Sequence, residues 1–173
     1  EMNTRLQVEH PVTEEVFETD LVAWQLRIAS GEELSLSQEA LIPKGHSVEV
    51  RIYAEDPSNN FFPSPGPVYG FLPFKGDKIR WEVGLDSIDT VSGSFDPMMA
   101  KLVSWGEDRS TALKTLAHAI KQTIFFGPIH NMELLASILE DEEFKAKPVG
   151  THYVANRIDS LMERLKNSRQ AQA

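Results

Sequence analysis

The 173-residue sequence contains no cysteine, which excludes a disulfide framework and any thiolate-bound metal. It has no long hydrophobic run: stretches such as 124–126 fall far short of the ~20 apolar residues of a membrane-spanning helix. Basic residues are in deficit, 17 Lys and Arg against 26 Asp and Glu. The resulting net charge of -9 argues against nucleic acid as a partner, because a phosphate backbone calls for a cationic surface. Small anionic substrates need only a local cation and stay open. There is no G-x-S-x-G elbow and no phosphate-binding P-loop. The histidines, at positions 10, 46, 118, 130 and 152, never fall at metal-ligand spacing, so no zinc site is expected. An initiator methionine is also lacking: Glu1 comes first, followed by neither a charged n-region nor an apolar h-region. The expectation is a segment of a longer protein whose amino-terminal part is missing.

What is present is ordinary globular material, 41% hydrophobic and 25% charged, enough to bury a core without staples. Residues 1–10 read as a strand, and residues 20–30 as a helix that Asp20 caps, Gly31 stops, and Leu21, Trp24 and Ile28 make one-faced. Residues 46–54 alternate as a second strand, with Val48, Val50, Ile52 and Ala54 on one face and Ser47, Glu49, Arg51 and Tyr53 on the other. A proline-rich loop follows from Pro57 to Pro67, then short strands at about 68–72, 79–83 and 98–105. From Asp108 a helix is expected to about Phe125, with Leu113, Leu116, Ile120 and Ile124 as its buried stripe. Further helices are expected over 132–139 and 151–166, the latter turning Val154, Ile158, Leu161 and Leu165 inward ahead of a frayed polar tail. A strand and helix, then strands, then helices indicate an α+β fold.

The first segment carries the chemistry. In an extended chain Glu1, Asn3, Arg5, Gln7 and Glu9 share one face, a row roughly 26 Å long at ~3.3 Å per residue. A carboxylate beside an amide suits a hard cation such as Mg²⁺. A guanidinium is a planar fork for a small oxyanion. The second carboxylate, beside that fork, is placed to act as a base. Spacing alone does not separate such a site from an antiparallel strand with one wet face. Arg51 is similarly open, since a lone arginine in an apolar strand is usually a surface residue or ion-paired, with Glu49 its nearest candidate partner.

Read as strings, the segments are far more specific. EMNTRLQVEHPVTE at residues 1–14 resembles the end of the ATP-grasp portion of biotin carboxylases. RIYAEDP at 51–57, followed by PSPG at 63–66, resembles the opening of their carboxyl-terminal domain, and FDPMMAKLVSWGEDR at 95–109 resembles a later family segment. The three occur in the family's order, and the likeness runs to about Asn131. The sequence departs from many relatives at Ser92-Gly93-Ser94-Phe95, where they have paired tyrosines, and at 128–131, where they have a Lys-Thr-Asn stretch. Those departures leave subunit contacts and acyl-CoA subclass open and do not touch the polar row.

The resemblance implies a remnant of an ATP-grasp domain at 1–40, a biotin carboxylase carboxyl-terminal domain at 41–166 with a mostly antiparallel sheet flanked by helices, and a tail at 167–173. It implies an ATP-dependent carbon–nitrogen ligase that carboxylates biotin with bicarbonate as part of an acetyl-CoA, propionyl-CoA or related acyl-CoA carboxylase. The segment alone would be inactive; a non-catalytic dimerisation module is the other reading. By position, Glu9 is the base for bicarbonate, and Arg5, Gln7 and Val8 bind that anion, Arg5 through its side chain. Arg51 binds biotin and stabilises its enolate and the carboxyphosphate-derived intermediate, making Glu9, Arg51 and Arg5 the catalytic set; Glu1 and Asn3 belong to the metal end. Implied cofactors are ATP, Mg²⁺ or Mn²⁺, bicarbonate and biotin on a carrier protein. Implied partners are the missing amino-terminal part of the polypeptide, the biotin carboxyl carrier protein, a carboxyltransferase subunit and a second copy, with neither nucleic acid nor membrane. The implied compartment is the cytoplasm, or the mitochondrial matrix in a eukaryote.

Overall fold

The computed structural model describes residues 2–85 and 89–172, with side chains through residue 167. Two helices come first, α1 (His10–Phe17) and α2 (Leu21–Ala29). Then follow β1 (His46–Tyr53), β2 (Glu55–Asp56), β3 (Phe62–Pro63), β4 (Gly66–Pro67), β5 (Gly70–Leu72), β6 (Ile79–Val83), β7 (Thr90–Val91) and β8 (Met98–Gly106). The chain continues through α3 (Arg109–Gln122), β9 (Ile124–Phe126), α4 (Met132–Leu139), α5 (Glu142–Ala146) and α6 (Tyr153–Gln172). This is the expected α+β architecture.

Its centre is an antiparallel sheet in the order β1-β8-β6. β8 lies in the middle and is buried from Met99 to Ser104. The register sets Arg51 opposite Lys101 on one side, and Glu82 opposite Lys101 on the other. The apolar face of β1 (Val50 and Ile52) joins Leu102 of β8 and the α3 stripe Leu113, Leu116 and Ile120 in the main core. Asp108 caps α3 by accepting a hydrogen bond from Thr111 N at 2.7 Å. A second cluster forms where α6 lays Leu161 against Leu134 and Ile138 of α4, with Val154, Ile158 and Leu165 packed at its margin.

Three expectations are corrected. Residues 2–9 are not a strand but an irregular stretch ending in a turn at Val8 and Glu9, and α1 starts at His10. Pro11 drives this: it cannot donate in a sheet, and its fixed φ suits the first turn of a helix. The helix expected to reach Phe125 ends at Gln122, because Thr123 turns extended and Ile124–Phe126 pair with β5 instead. Ile124 is therefore 48% exposed rather than part of the buried stripe. The face expected on α2 is present: Leu21, Trp24 and Ile28 line one cleft, Leu21 and Trp24 partly buried and Ile28 49% exposed. Finally, the α6 backbone remains helical through Gln172, past the expected end at Lys166, since Asn167–Gln172 contains neither glycine nor proline to stop it.

Candidate functional site

The turn into α1 places three of the predicted side chains together. Arg5 Nη1 donates to the Leu6 carbonyl at 3.2 Å and to Gln7 Oε1 at 3.4 Å, so the fork and the amide are neighbours. His10 Nδ1 lies 2.7 Å from the Gln7 carbonyl and tightens the turn. Glu9 occupies the position just before α1 with its carboxylate uncommitted to the helix N-terminus. Arg5, Gln7, Glu9 and His10 line one end of a cleft of about 650 Å³ whose remaining wall is largely apolar, from Phe17, Trp24, Ile28 and Leu36. The two-residue alternation predicted on a straight strand is lost: Leu6 lines the same cleft as Arg5 and Gln7.

Arg51 reaches this turn from the sheet. Its Nη2 meets Glu9 Oε2 at 2.8 Å, across 42 positions of sequence. The partner is thus Glu9 rather than the expected Glu49. Both members are accessible, 39% and 54% exposed, so the pair adds little stability and stays free to exchange partners. Burial lowers the pKa of Arg51, but Tyr53, Glu9 and Glu49 outweigh it and raise the net value, keeping a fixed positive charge at this point.

Behind Arg51 lies a charged layer. Glu49 shares its face of β1, with Oε2 buried and without a hydrogen bond. Burial pushes the Glu49 carboxyl up to about 7, with Lys101 and Arg51 opposing and Glu82 and Glu9 reinforcing the rise. Lys101 pairs with Glu82 Oε2 at 2.6 Å and donates to the Val8 carbonyl at 2.8 Å. Arg80 pairs with Glu14 Oε2 at 2.8 Å, with Glu15 at 3.3 Å, and with Glu82. Burial works to raise the pKa of Glu82, but Lys101 and Arg80 prevail and hold it below the usual carboxylate range. On the other flank, the buried Asn131 fastens β1 by accepting from Tyr53 N at 3.0 Å and donating to the Arg51 carbonyl at 3.1 Å.

The metal end is not assembled by the described residues. Glu1 lies outside them, and Asn3 is exposed. An amide oxygen suits a hard cation, but a single exposed one does not make a site. His10, Glu14 and Glu82 do bring ligand atoms within 4.8 Å of one another. Glu14 already accepts from Leu21 N at 2.7 Å and pairs with Arg80, and Glu82 is shared between Arg80 and Lys101. Cations of the chain thus neutralise this group, which is structural.

Sequence reasoning missed Lys101, Glu82 and Asn131. Only Lys101 carried a signal, as a lone cation inside the run Met98-Met99-Ala100-Lys101-Leu102-Val103. No helix among the described residues is long and apolar enough to cross a membrane.

Comparison with known proteins adds independent support. Residues 49–156 match the biotin carboxylase C-terminal domain, and residues 1–37 match the ATP binding domain of the carbamoyl-phosphate synthase L chain. The chain is 47% identical over 163 residues to the mitochondrial methylcrotonoyl-CoA carboxylase subunit alpha of Mus musculus, covering 94% of this chain and 23% of that protein. It is 44% identical over 158 residues to the biotin carboxylase of Halalkalibacterium halodurans, covering 91% and 35%. Among solved structures it resembles the biotin carboxylase domain dimer of the Hydrogenobacter thermophilus 2-oxoglutarate carboxylase, in complex with MgADP, ADP and bicarbonate. That match has a TM-score of 0.89 at 36% identity over 93% of this chain and 36% of the other. The chain thus spans between a quarter and about a third of the length of these relatives.

Proposed function

Because the chain belongs to the biotin carboxylase C-terminal domain family, we propose that it supplies one wall of a site where bicarbonate is activated with ATP and biotin is carboxylated. Arg5 and Gln7 hold the bicarbonate with Val8 beside them, and Glu9 accepts its proton. Removing that proton makes a carbonate dianion able to attack the γ-phosphorus of ATP with ADP as leaving group, and the Arg5 guanidinium stabilises the added charge. Arg51 places a fixed cation where the ureido oxygen of biotin becomes negative as its N1 proton leaves. Magnesium, when bound with the nucleotide, screens the phosphate charge; in this reading Glu1 and Asn3 face that end.

One observation carries the reading. Glu9 and Arg51, distant in sequence, meet at 2.8 Å, and Glu9 lines a cleft together with Arg5 and Gln7. A base and an enolate-stabilising cation must work on adjoining substrates, and this pair adjoins while remaining exposed enough to receive them.

The reading extends to organisation. Residues 1–40 belong to an ATP-grasp domain, residues 41–166 form the carboxyl-terminal domain, and 167–173 are a tail whose backbone continues α6 through Gln172. The carrier protein, a carboxyltransferase subunit and a second copy are the proposed partners, in the cytoplasm or, in a eukaryote, the mitochondrial matrix. The test is a pair of substitutions in a full-length carboxylase containing this chain. Glu9→Gln is expected to abolish biotin carboxylation with the fold intact, and Arg51→Ser to reduce carboxylation more than nucleotide binding. Near-normal carboxylation in both variants refutes the assignment.

A further inference from the structure

Lys101 has a position that ordinary packing does not explain. It sits on the central strand β8 between the buried Ala100 and Leu102, and is itself only 8% exposed. A lysine there gives up its hydration, which costs several kcal/mol unless its protons are met. Two contacts meet them: Glu82 Oε2 at 2.6 Å, and the Val8 carbonyl at 2.8 Å, 93 positions away. The first contact alone would not call for a lysine, because Arg80 already pairs with Glu82. The second is different in kind. It ties the strand that faces Arg51 to the one peptide group that joins Val8 to Glu9.

The turn around that peptide closes on itself, with His10 N and Nδ1 at the Gln7 carbonyl and Val12 N donating to the Glu9 carbonyl, and the Lys101 contact ties it to the sheet. Residues 2–7 form neither helix nor strand, and Arg5 donates to its neighbours Leu6 and Gln7. The carbonyl of Val8 and the amide of Glu9 belong to the same plane, so a donor on the first holds the plane that carries the Glu9 Cα, and the φ of -84° and ψ of 10° with which Glu9 enters α1 then set where its side chain leaves. Because Arg51 lies directly opposite Lys101 in the β1–β8 register, one strand pair locates both the turn and the cation that Glu9 meets.

We propose that Lys101 is a positioning residue for the bicarbonate site: its ammonium, held by Glu82, clamps the Val8 carbonyl and thereby sets the Glu9 base and the Arg5–Gln7 anion fork in register with Arg51. The inference rests on the functional reading above. Lys101 itself touches no substrate and acts through the turn. A displacement on the order of 1 Å in a bound reactant costs about a hundredfold in rate, so the effect belongs in catalysis rather than in folding.

The test compares Lys101→Met, Lys101→Arg and Glu9→Gln in a full-length carboxylase containing this chain. Lys101→Met keeps the bulk and removes the donor; it is expected to raise the bicarbonate KM by about tenfold or more and to lower kcat, with the nucleotide KM within about twofold of the parent. Lys101→Arg, which keeps a cation and donors, is expected to recover most of that loss. A Lys101→Met enzyme with an unchanged bicarbonate KM and kcat, beside an inactive Glu9→Gln enzyme, overturns the positioning role alone. A normally active Glu9→Gln enzyme overturns the underlying site. Should Lys101→Met fail to fold, the unsubstituted protein decides: a through-hydrogen-bond coupling between Lys101 Nζ and the Val8 carbonyl carbon is expected by NMR, and its absence overturns the clamp.

Discussion

Replacing Glu49 with glutamine should stabilise the protein at alkaline pH and leave it nearly unchanged in acid. The Glu49 carboxyl rises from 4.5 to about 7, chiefly through burial. A raised carboxyl means that the folded state binds a proton more tightly than the unfolded chain. Below pH 4.5 both states hold the proton and Glu49 costs nothing. Between 4.5 and about 7 the unfolded chain releases it first, so stability falls as pH rises, and above about 7 the full cost is present. At about 1.4 kcal/mol per tenfold change in proton affinity, the upper bound is about 3.5 kcal/mol. The side chain is partly exposed, and screening reduces this to about 1–2 kcal/mol. In a chain of this size that is a Tm increase on the order of 2–8 °C for Glu49→Gln at pH 8. Other groups titrate too: burial lowers the pKa of His130 and of His46, which removes stability as pH falls through the ordinary histidine range. The informative quantity is therefore the difference between Glu49→Gln and the parent, followed by thermal and urea unfolding at pH 5 and pH 8. A variant that is less stable than its parent at pH 8, or a difference that does not grow between the two pH values, refutes the argument that burial of this charge dominates its attraction to Lys101 and Arg51.

Other outcomes follow from the same structure. Asp141, 3% exposed, accepts from Tyr153 Oη at 2.5 Å and pairs with Arg157 at 3.1 Å and Arg164 at 2.9 Å, so Asp141→Ala should cost about 3–5 kcal/mol in urea unfolding and loosen α6 in hydrogen exchange. Leu116→Ala, at a fully buried position of α3, should cost about 2–5 kcal/mol in the same assay. Asn131→Ala leaves the Tyr53 amide and the Arg51 carbonyl short of partners, and about 1–3 kcal/mol of stability should be lost, with NMR shifts concentrated on β1. This chain by itself should show no bicarbonate-dependent ATP turnover; measurable turnover in a clean preparation would contradict the incomplete site.

Much of the fold could be read from local pattern. The strand at 46–54, the strand at 79–83 and the helix at 132–139 emerge in the structure as β1, β6 and α4 with bounds that agree to within a residue. Each of these carries its own signal: alternation on β1, a run of β-formers on β6, and three- and four-residue apolar spacing on α4. The errors fall where a neighbour decides. Ile124 continues the apolar spacing of α3, yet β5 offers a strand edge to Ile124–Phe126 and draws them out of the helix. On α2 the local pattern sufficed, since Leu21, Trp24 and Ile28 line one cleft.

For the site, the sequence determined the inventory: a guanidinium, amides and two carboxylates within nine residues, then a lone arginine in an alternating strand, in an order distinctive enough to show the family. It did not determine their arrangement. Pro11 ends the extended stretch and begins a helix, so the row of side chains folds into a turn. Tertiary structure alone chose Glu9 over Glu49 as the partner of Arg51, and only the β1–β8 register brings Lys101 beneath Val8. The physical reason is one of range. Backbone sterics and side-chain periodicity act over a few residues and are written locally. Ion pairing and side-chain hydrogen bonding depend on distances of a few Å between groups 42 and 93 positions apart, which only the assembled fold sets.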